Sequence, residues 1–164
     1  MYGKRNKKRD PGSLVYTGDI ETKITLIEYD KNNFNQKIIE KCPEFENKDT
    51  VKWIKINRFF KENLKEIGQC FNLNQLVLKD ILNIRQRPKM EDYQDYLYVV
   101  LKLIHVNDED KVNTKQISLI LKENVLISFQ DDEDNIFDII IDKLKHKDTQ
   151  MRTRGADYLL FSLI

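Results

Sequence analysis

The sequence predicts an α/β domain, and three features of it point there. Runs rich in β-branched and aromatic residues recur at strand length, the clearest being 23–29, 51–56 and 125–130. One segment has helical periodicity: Ile136, Phe137, Ile140, Ile141 and Leu144 share a stripe, while Asp138, Asp142 and Lys145 lie opposite. A chain of 164 residues suits one domain, which at that size buries roughly 70% of its unfolded surface.

The chain opens with a basic stretch, Lys4, Arg5, Lys7, Lys8 and Arg9, read as a disordered arm over 1–10 that precedes a single domain over 11–164. Strands follow at 13–17 and 23–29, parted by a Gly18-Asp19 turn. A polar turn over 30–35 leads to a third strand at 36–40 that pairs back. Residues 51–56 alternate, with Val51, Trp53 and Lys55 against Lys52, Ile54 and Ile56, and Trp53 offers a core anchor.

A helix over 59–71 places Phe60, Leu64 and Ile67 on one face, with Gly68 weakening its end. A short helix from Leu73 comes next, and Pro88 disfavours helix in the residue before it. Strands at 96–106, 116–121 and 125–130 are separated by the turns Asp108-Glu109-Asp110 and Glu123-Asn124. Asp134 offers an N-cap for the amphipathic helix. A basic turn with Gly155 then leads into 156–164, which is apolar nearly all round and stops in mid-pattern, as a truncated helix would.

Composition narrows the function. Charged residues make up 34% of the chain yet balance to a net +1, so no overall field calls for nucleic acid or anionic lipid. No stretch approaches the roughly 18 apolar residues that span a bilayer, so this segment is not expected to enter a membrane. Cys42 and Cys70 stand alone without ligand spacing or a secretory signal, and are expected to be free thiols. There is no GxSxG elbow and no phosphate-binding glycine loop, and the two histidines, His105 and His146, fall on a strand and at a helix end. The acids Asp131, Asp132, Glu133 and Asp134 suit a helix start better than a metal loop.

Two acids resist dismissal as solvated surface. From Asp80, helical offsets of three, four and seven reach Leu73, Leu76, Val77 and Ile84, placing the carboxylate on an apolar stripe. Leu78 and Leu82 lie on the other side, so this helix is apolar on two faces, one for its own core and one for a partner. Asp157 shares its face with Leu160, Phe161 and Ile164. A carboxylate so placed costs several kcal/mol unless paired, protonated or bound to a cation. A neighbouring Arg or Lys, or a divalent ion, would each meet that need.

Ordered segments sharpen the choice. They are Pro11-Gly12-Ser13-Leu14-Val15-Tyr16-Thr17-Gly18, Trp53-Ile54-Lys55-Ile56, Leu78-Lys79-Asp80-Ile81-Leu82-Asn83 and Gln86-Arg87-Pro88-Lys89-Met90-Glu91. After these come Gln116-Ile117-Ser118-Leu119-Ile120-Leu121, Ser128-Phe129-Gln130 and Ala156-Asp157-Tyr158-Leu159-Leu160. In this order and spacing the chain resembles the N-terminal cytosolic domain of the CorA family of magnesium transporters. The resemblance implies a three-layer α/β/α sandwich with a mixed central sheet. It implies a homo-oligomer, a pentamer in the full-length protein, whose stalk and membrane helices lie outside this chain. It also implies Mg²⁺, or Co²⁺ or another divalent ion, bound between neighbouring cytosolic domains and holding a channel closed.

On that resemblance Asp80 matches the main sensor carboxylate and Asp157 an acid of a second nearby site. Lys79 departs from the Glu that the family often has beside the sensor, and adds positive charge where a second cation would sit. Arg85 stands where many members have His. The expected function is therefore a regulatory domain without enzymatic activity. The alternatives are the equivalent domain of a zinc-transporting relative or a stand-alone metal-dependent enzyme.

Overall fold

In the computed structural model the described residues are 22–43, 49–106, 112–132 and 135–164. The basic arm, the strand expected over 13–17, the Asp108-Glu109-Asp110 turn and the Asp134 cap lie outside them. Among the described residues seven strands form one sheet: β1 (Lys23–Tyr29), β2 (Phe34–Ile39), β3 (Val51–Asn57), β4 (Lys89–Asp92), β5 (Leu97–Val106), β6 (Val112–Lys122) and β7 (Val125–Gln130). Their order is β2-β1-β3-β7-β6-β5-β4. Among the described strands only β3 and β7 pair in parallel, with Trp53 opposite Leu126, so the sheet is mixed.

Period-two alternation on β3 splits the core. Val51 and Trp53 join one cluster, and Ile54 and Ile56 the other. Helices α1 (Lys61–Phe71) and α2 (Gln75–Leu82) cover the second cluster, through Leu64, Ile67, Phe71, Val77 and Ile81. Helix α3 (Asp138–Lys145), a 3₁₀ turn at Gln150–Thr153 and α4 (Ala156–Leu163) cover the first, through Ile140, Ile141, Leu144, Leu159, Leu160 and Leu163. The result is the α/β/α layering. Trp53 is fully buried and donates its indole N–H to Ser128 Oγ at 3.0 Å, so its polar atom is satisfied.

Several expectations shift in detail. Helix α3 begins at Asp138, after a turn in which Asp138 N donates to Asn135 O. Strand β4 has no counterpart in the sequence reading: Lys-Met-Glu-Asp has little strand propensity, and pairing with β5 imposes the conformation. Gly68 does more than weaken a helix end, because a Cβ there would collide with Leu78 of α2. The Cys42 and Cys70 sulfurs are joined in a disulfide with a Cα–Cα distance of 6.3 Å, which corrects the expectation of free thiols. The sheet brings together residues that their sequence spacing keeps apart.

Candidate metal site

Helix α2 starts with an Asn74 side chain that accepts from Leu76 N at 2.8 Å. Its buried line is Leu73, Val77 and Ile81, with Leu78 and Leu82 packed at the edge of the core. Leu76 and Ile84 are 60% and 42% exposed. The core face is thus rotated away from Asp80, which stands at the margin of the stripe and not in its middle. The separate second face expected of Leu78 and Leu82 is corrected, since both pack against the same core; the exposed apolar residues are Leu76 on the helix and Ile84 just beyond it.

The backbone of Asp80 is fixed to the sheet. Gln116 Nε2 of β6 donates to the Asp80 carbonyl at 3.2 Å, and Lys102 of β5 donates to both Gln116 Oε1 and the Ile84 carbonyl. The Asp80 side chain is 23% exposed. Gln86 Nε2 donates to Oδ1 at 2.8 Å and Lys89 Nζ to Oδ2 at 2.6 Å. Lys89 Nζ also reaches Glu91 Oε1 at 2.9 Å, and the Tyr93 hydroxyl donates to Glu91 Oε2 at 3.0 Å.

Electrostatics follow from this geometry. Partial desolvation pulls the Lys89 pKa down, but hydrogen bonds and attraction to Asp80 and Glu91 outweigh it and hold the ammonium above the ordinary lysine range. The Lys89 hydrogen bond, with a smaller one from Tyr93, lowers the Glu91 pKa against slight desolvation. Of the two accounts left open for the Asp80 charge, the lysine pair is the one formed within the chain.

Asp157 lies elsewhere. It sits in the first turn of α4, where a carboxylate suits the helix dipole, and it is exposed. Its Oδ1 lies 2.8 Å from where a Cβ on Gly155 would stand. Its charge reaches the buried Tyr29 hydroxyl, whose pKa is raised chiefly by burial, with Arg152 opposing and Asp157 adding. The expected stripe of Asp157, Leu160, Phe161 and Ile164 is corrected: Ala156, Leu159, Leu160 and Leu163 face the sheet, while Phe161 and Ile164 are 75% and 68% exposed. A helix apolar nearly all round does not specify its buried side, so the sheet selects it.

Asp80 and Asp157 therefore stand on helices covering opposite faces of the sheet. One chain does not bring them to one ion. Among the described residues, no three His, Cys, Asp or Glu side chains cluster as a metal site. Asp132 pairs with Lys115 at 2.7 Å, consistent with a structural role for the acids after β7. A cleft of about 810 Å³ between β1–β2 and α1, lined by Ile24, Ile38, Ile54, Ile56 and Phe60, holds neither candidate acid.

Sequence reasoning did not assign Gln86, Lys89, Glu91 and Gln116 to this site. The legible signal was Lys-x-Glu just after the Pro88 helix stop, since on a strand that spacing puts both side chains on one face.

A model of the family described as CorA-like Mg²⁺ transporter protein matches residues 48–164. The cobalt/magnesium transport protein CorA of Thermotoga maritima is 33% identical over 161 residues, covering 94% of this chain and 46% of that protein. The chain thus spans about half the length of this curated relative. The soluble domain of CorA from Methanocaldococcus jannaschii superposes with a TM-score of 0.62 at 14% identity, over 83% of this chain and 52% of that one. The ZntB cytoplasmic domain from Vibrio parahaemolyticus gives 0.55 at 15%, over 76% and 51%. At these identities the two solved structures establish the likeness of fold. No described helix is long and apolar enough to cross a membrane.

Proposed function

This chain belongs to the CorA-like Mg²⁺ transporter family, and we propose that it is the Mg²⁺-sensing regulatory domain of a magnesium and cobalt transporter. In this reading it stands on the cytoplasmic side of the membrane, joined to stalk and membrane helices and assembled as a homopentamer. It has no catalytic activity of its own. Mg²⁺ binds between neighbouring copies through Asp80, with Asp157 serving a second site, and bound Mg²⁺ favours the closed state.

The observation that supports this most is the placement of the two acids on opposite faces of one sheet. When one face of a subunit meets the other face of the next, the contact is head-to-tail, and such contacts form a ring where the rotation closes. That arrangement lets Asp80 of one copy approach the Asp157 side of its neighbour. Leu76 and Ile84, exposed beside Asp80, supply the apolar area that a neighbour would cover. Mg²⁺ retains several waters, so one or two carboxylates suffice. A shared ion cancels the repulsion between facing carboxylates, and its loss loosens the contact.

The test is Mg²⁺-dependent closure of the whole transporter carrying Asp80→Asn. Half-closure should require at least about tenfold more Mg²⁺ than wild type; an unchanged requirement refutes the sensor role. The fold likeness to the ZntB domain supports a second reading, a zinc transporter. Titration with Zn²⁺, Co²⁺ and Mg²⁺ in parallel separates the two, since closure by Zn²⁺ alone would favour zinc.

A further inference from the structure

Strand β4 alternates outward and inward, so Lys89 and Glu91 project together toward α2 while Met90 and Asp92 point away. This puts a single ammonium between two carboxylates, 2.6 Å from Asp80 Oδ2 and 2.9 Å from Glu91 Oε1. The other two carboxylate oxygens are filled by neutral donors, Gln86 on Asp80 Oδ1 and Tyr93 on Glu91 Oε2. Lys89 Nζ also lies 5.5 Å from the Tyr98 ring centroid, which favours a cation at that spot. Each carboxylate oxygen thus has one donor, and one positive charge serves two negative ones.

A divalent ion ligated directly by Asp80 cannot share that carboxylate comfortably with the ammonium. The ammonium already sits on Oδ2, and its charge repels a divalent ion placed on the same carboxylate a few ångströms away. Resting on the reading that Asp80 takes Mg²⁺, we propose that Lys89 is a tethered counter-ion which competes with Mg²⁺ for Asp80. Glu91 receives the displaced ammonium, so leaving Asp80 does not strand a charge. Filling the site is then an exchange of one cation for another. Its Mg²⁺ threshold belongs to the Asp80, Lys89 and Glu91 trio and is higher than Asp80 alone would set. The neighbouring Gln86 holds Oδ1 in both states and keeps the carboxylate oriented.

The experiment is calorimetric titration of the whole assembled transporter with MgCl₂, comparing wild type with Lys89→Met, Lys89→Arg, Asp80→Asn and the Asp80→Asn/Lys89→Met double variant. Lys89→Met keeps the apolar stem and removes the charge, and should tighten Mg²⁺ binding about tenfold. Lys89→Arg restores the charge and should return the affinity to within about threefold of wild type. A lysine with only a structural role would weaken binding or leave it alone when removed, and either result overturns the proposal.

Asp80→Asn should abolish the gain. If instead the double variant binds as tightly as Lys89→Met, Asp80 is not the ligand, and the sensor reading falls together with the competition. If Asp80→Asn weakens binding but Lys89→Met does not tighten it, only the competition falls. Absence of Mg²⁺ binding in both wild type and Lys89→Met also overturns it. Thermal unfolding in EDTA checks that each variant folds, and Lys89→Gln replaces Lys89→Met if the latter does not.

Discussion

The face of the sheet under α1 and α2 carries its covalent and ionic ties at the surface, whereas the face under α3 and α4 holds its charged tie in the interior. On the first, the exposed Cys42–Cys70 disulfide links the tail of β2 to α1, and the half-buried Asp80–Lys89–Glu91 network links α2 to β4. On the second, the guanidinium of Arg152, 2% exposed, donates Nε–H to the Asp30 carbonyl at 2.6 Å and Nη1–H to the Leu144 carbonyl at 2.8 Å. It thereby joins the β1–β2 turn to the end of α3. A surface tie can trade partners with solvent ions or reductants without opening a core. A buried one cannot, since withdrawing it leaves unpaired polar groups. The capacity to respond to the surroundings therefore lies with α1 and α2.

The strongest way to test this contrast is reduction. The disulfide closes a separation of 28 residues, which in the chain-entropy account is worth about 3.5 kcal/mol. Urea unfolding with and without dithiothreitol should show that loss, and coincident curves would remove the covalent tie from the comparison. Arg152→Met comes next. Two carbonyls lose their donors, partly offset because no cation is then buried, so about 2 kcal/mol should be lost. Urea unfolding at fixed redox state reads it, and a neutral outcome would mean the interior tie contributes little.

The smallest effect is expected from the ionic network, and pH exposes it. Glu91 titrates below its ordinary value of 4.5 in the folded chain, so its contribution is complete above that value and lost as pH falls through the lowered one. Lys89 is shifted upward, so its share is complete below its ordinary value of 10.5 and lost only as pH rises past the raised one. Glu91→Gln should therefore flatten the acid limb of stability as pH falls below the ordinary value of 4.5, by under about 1 kcal/mol, because these groups are partly exposed. Identical acid limbs would show that the network adds nothing to stability.

Much of the architecture was legible from the residues. The β-branched runs gave β1, β3 and β7 nearly to the residue, and the stripe of Ile140, Ile141 and Leu144 gave the buried side of α3. What escaped depended on distant partners. Strand β4 exists because β5 lies beside it. The margin position of Asp80 follows from how α2 rolls until Leu78 meets Gly68. Lys89 reaches Asp80 only because β4 folds back along α2, a contact that helical spacing does not foresee. The exposed position of Asp157 has a similar cause: four residues of α4 match the sheet better than the stripe that contained it.

The parallel pairing of β3 with β7 has a consequence for biosynthesis. Every residue of β3 is buried in the finished sheet, yet its neighbour arrives late, as the 75-residue separation of Trp53 and Ser128 shows. At ribosomal speeds of about 5–20 residues per second, that apolar edge waits roughly 4–15 s for its partner. During that interval the nascent chain displays a sticky, unsatisfied ladder, which makes β3 the segment on which a holding chaperone would act and from which misassembly would start.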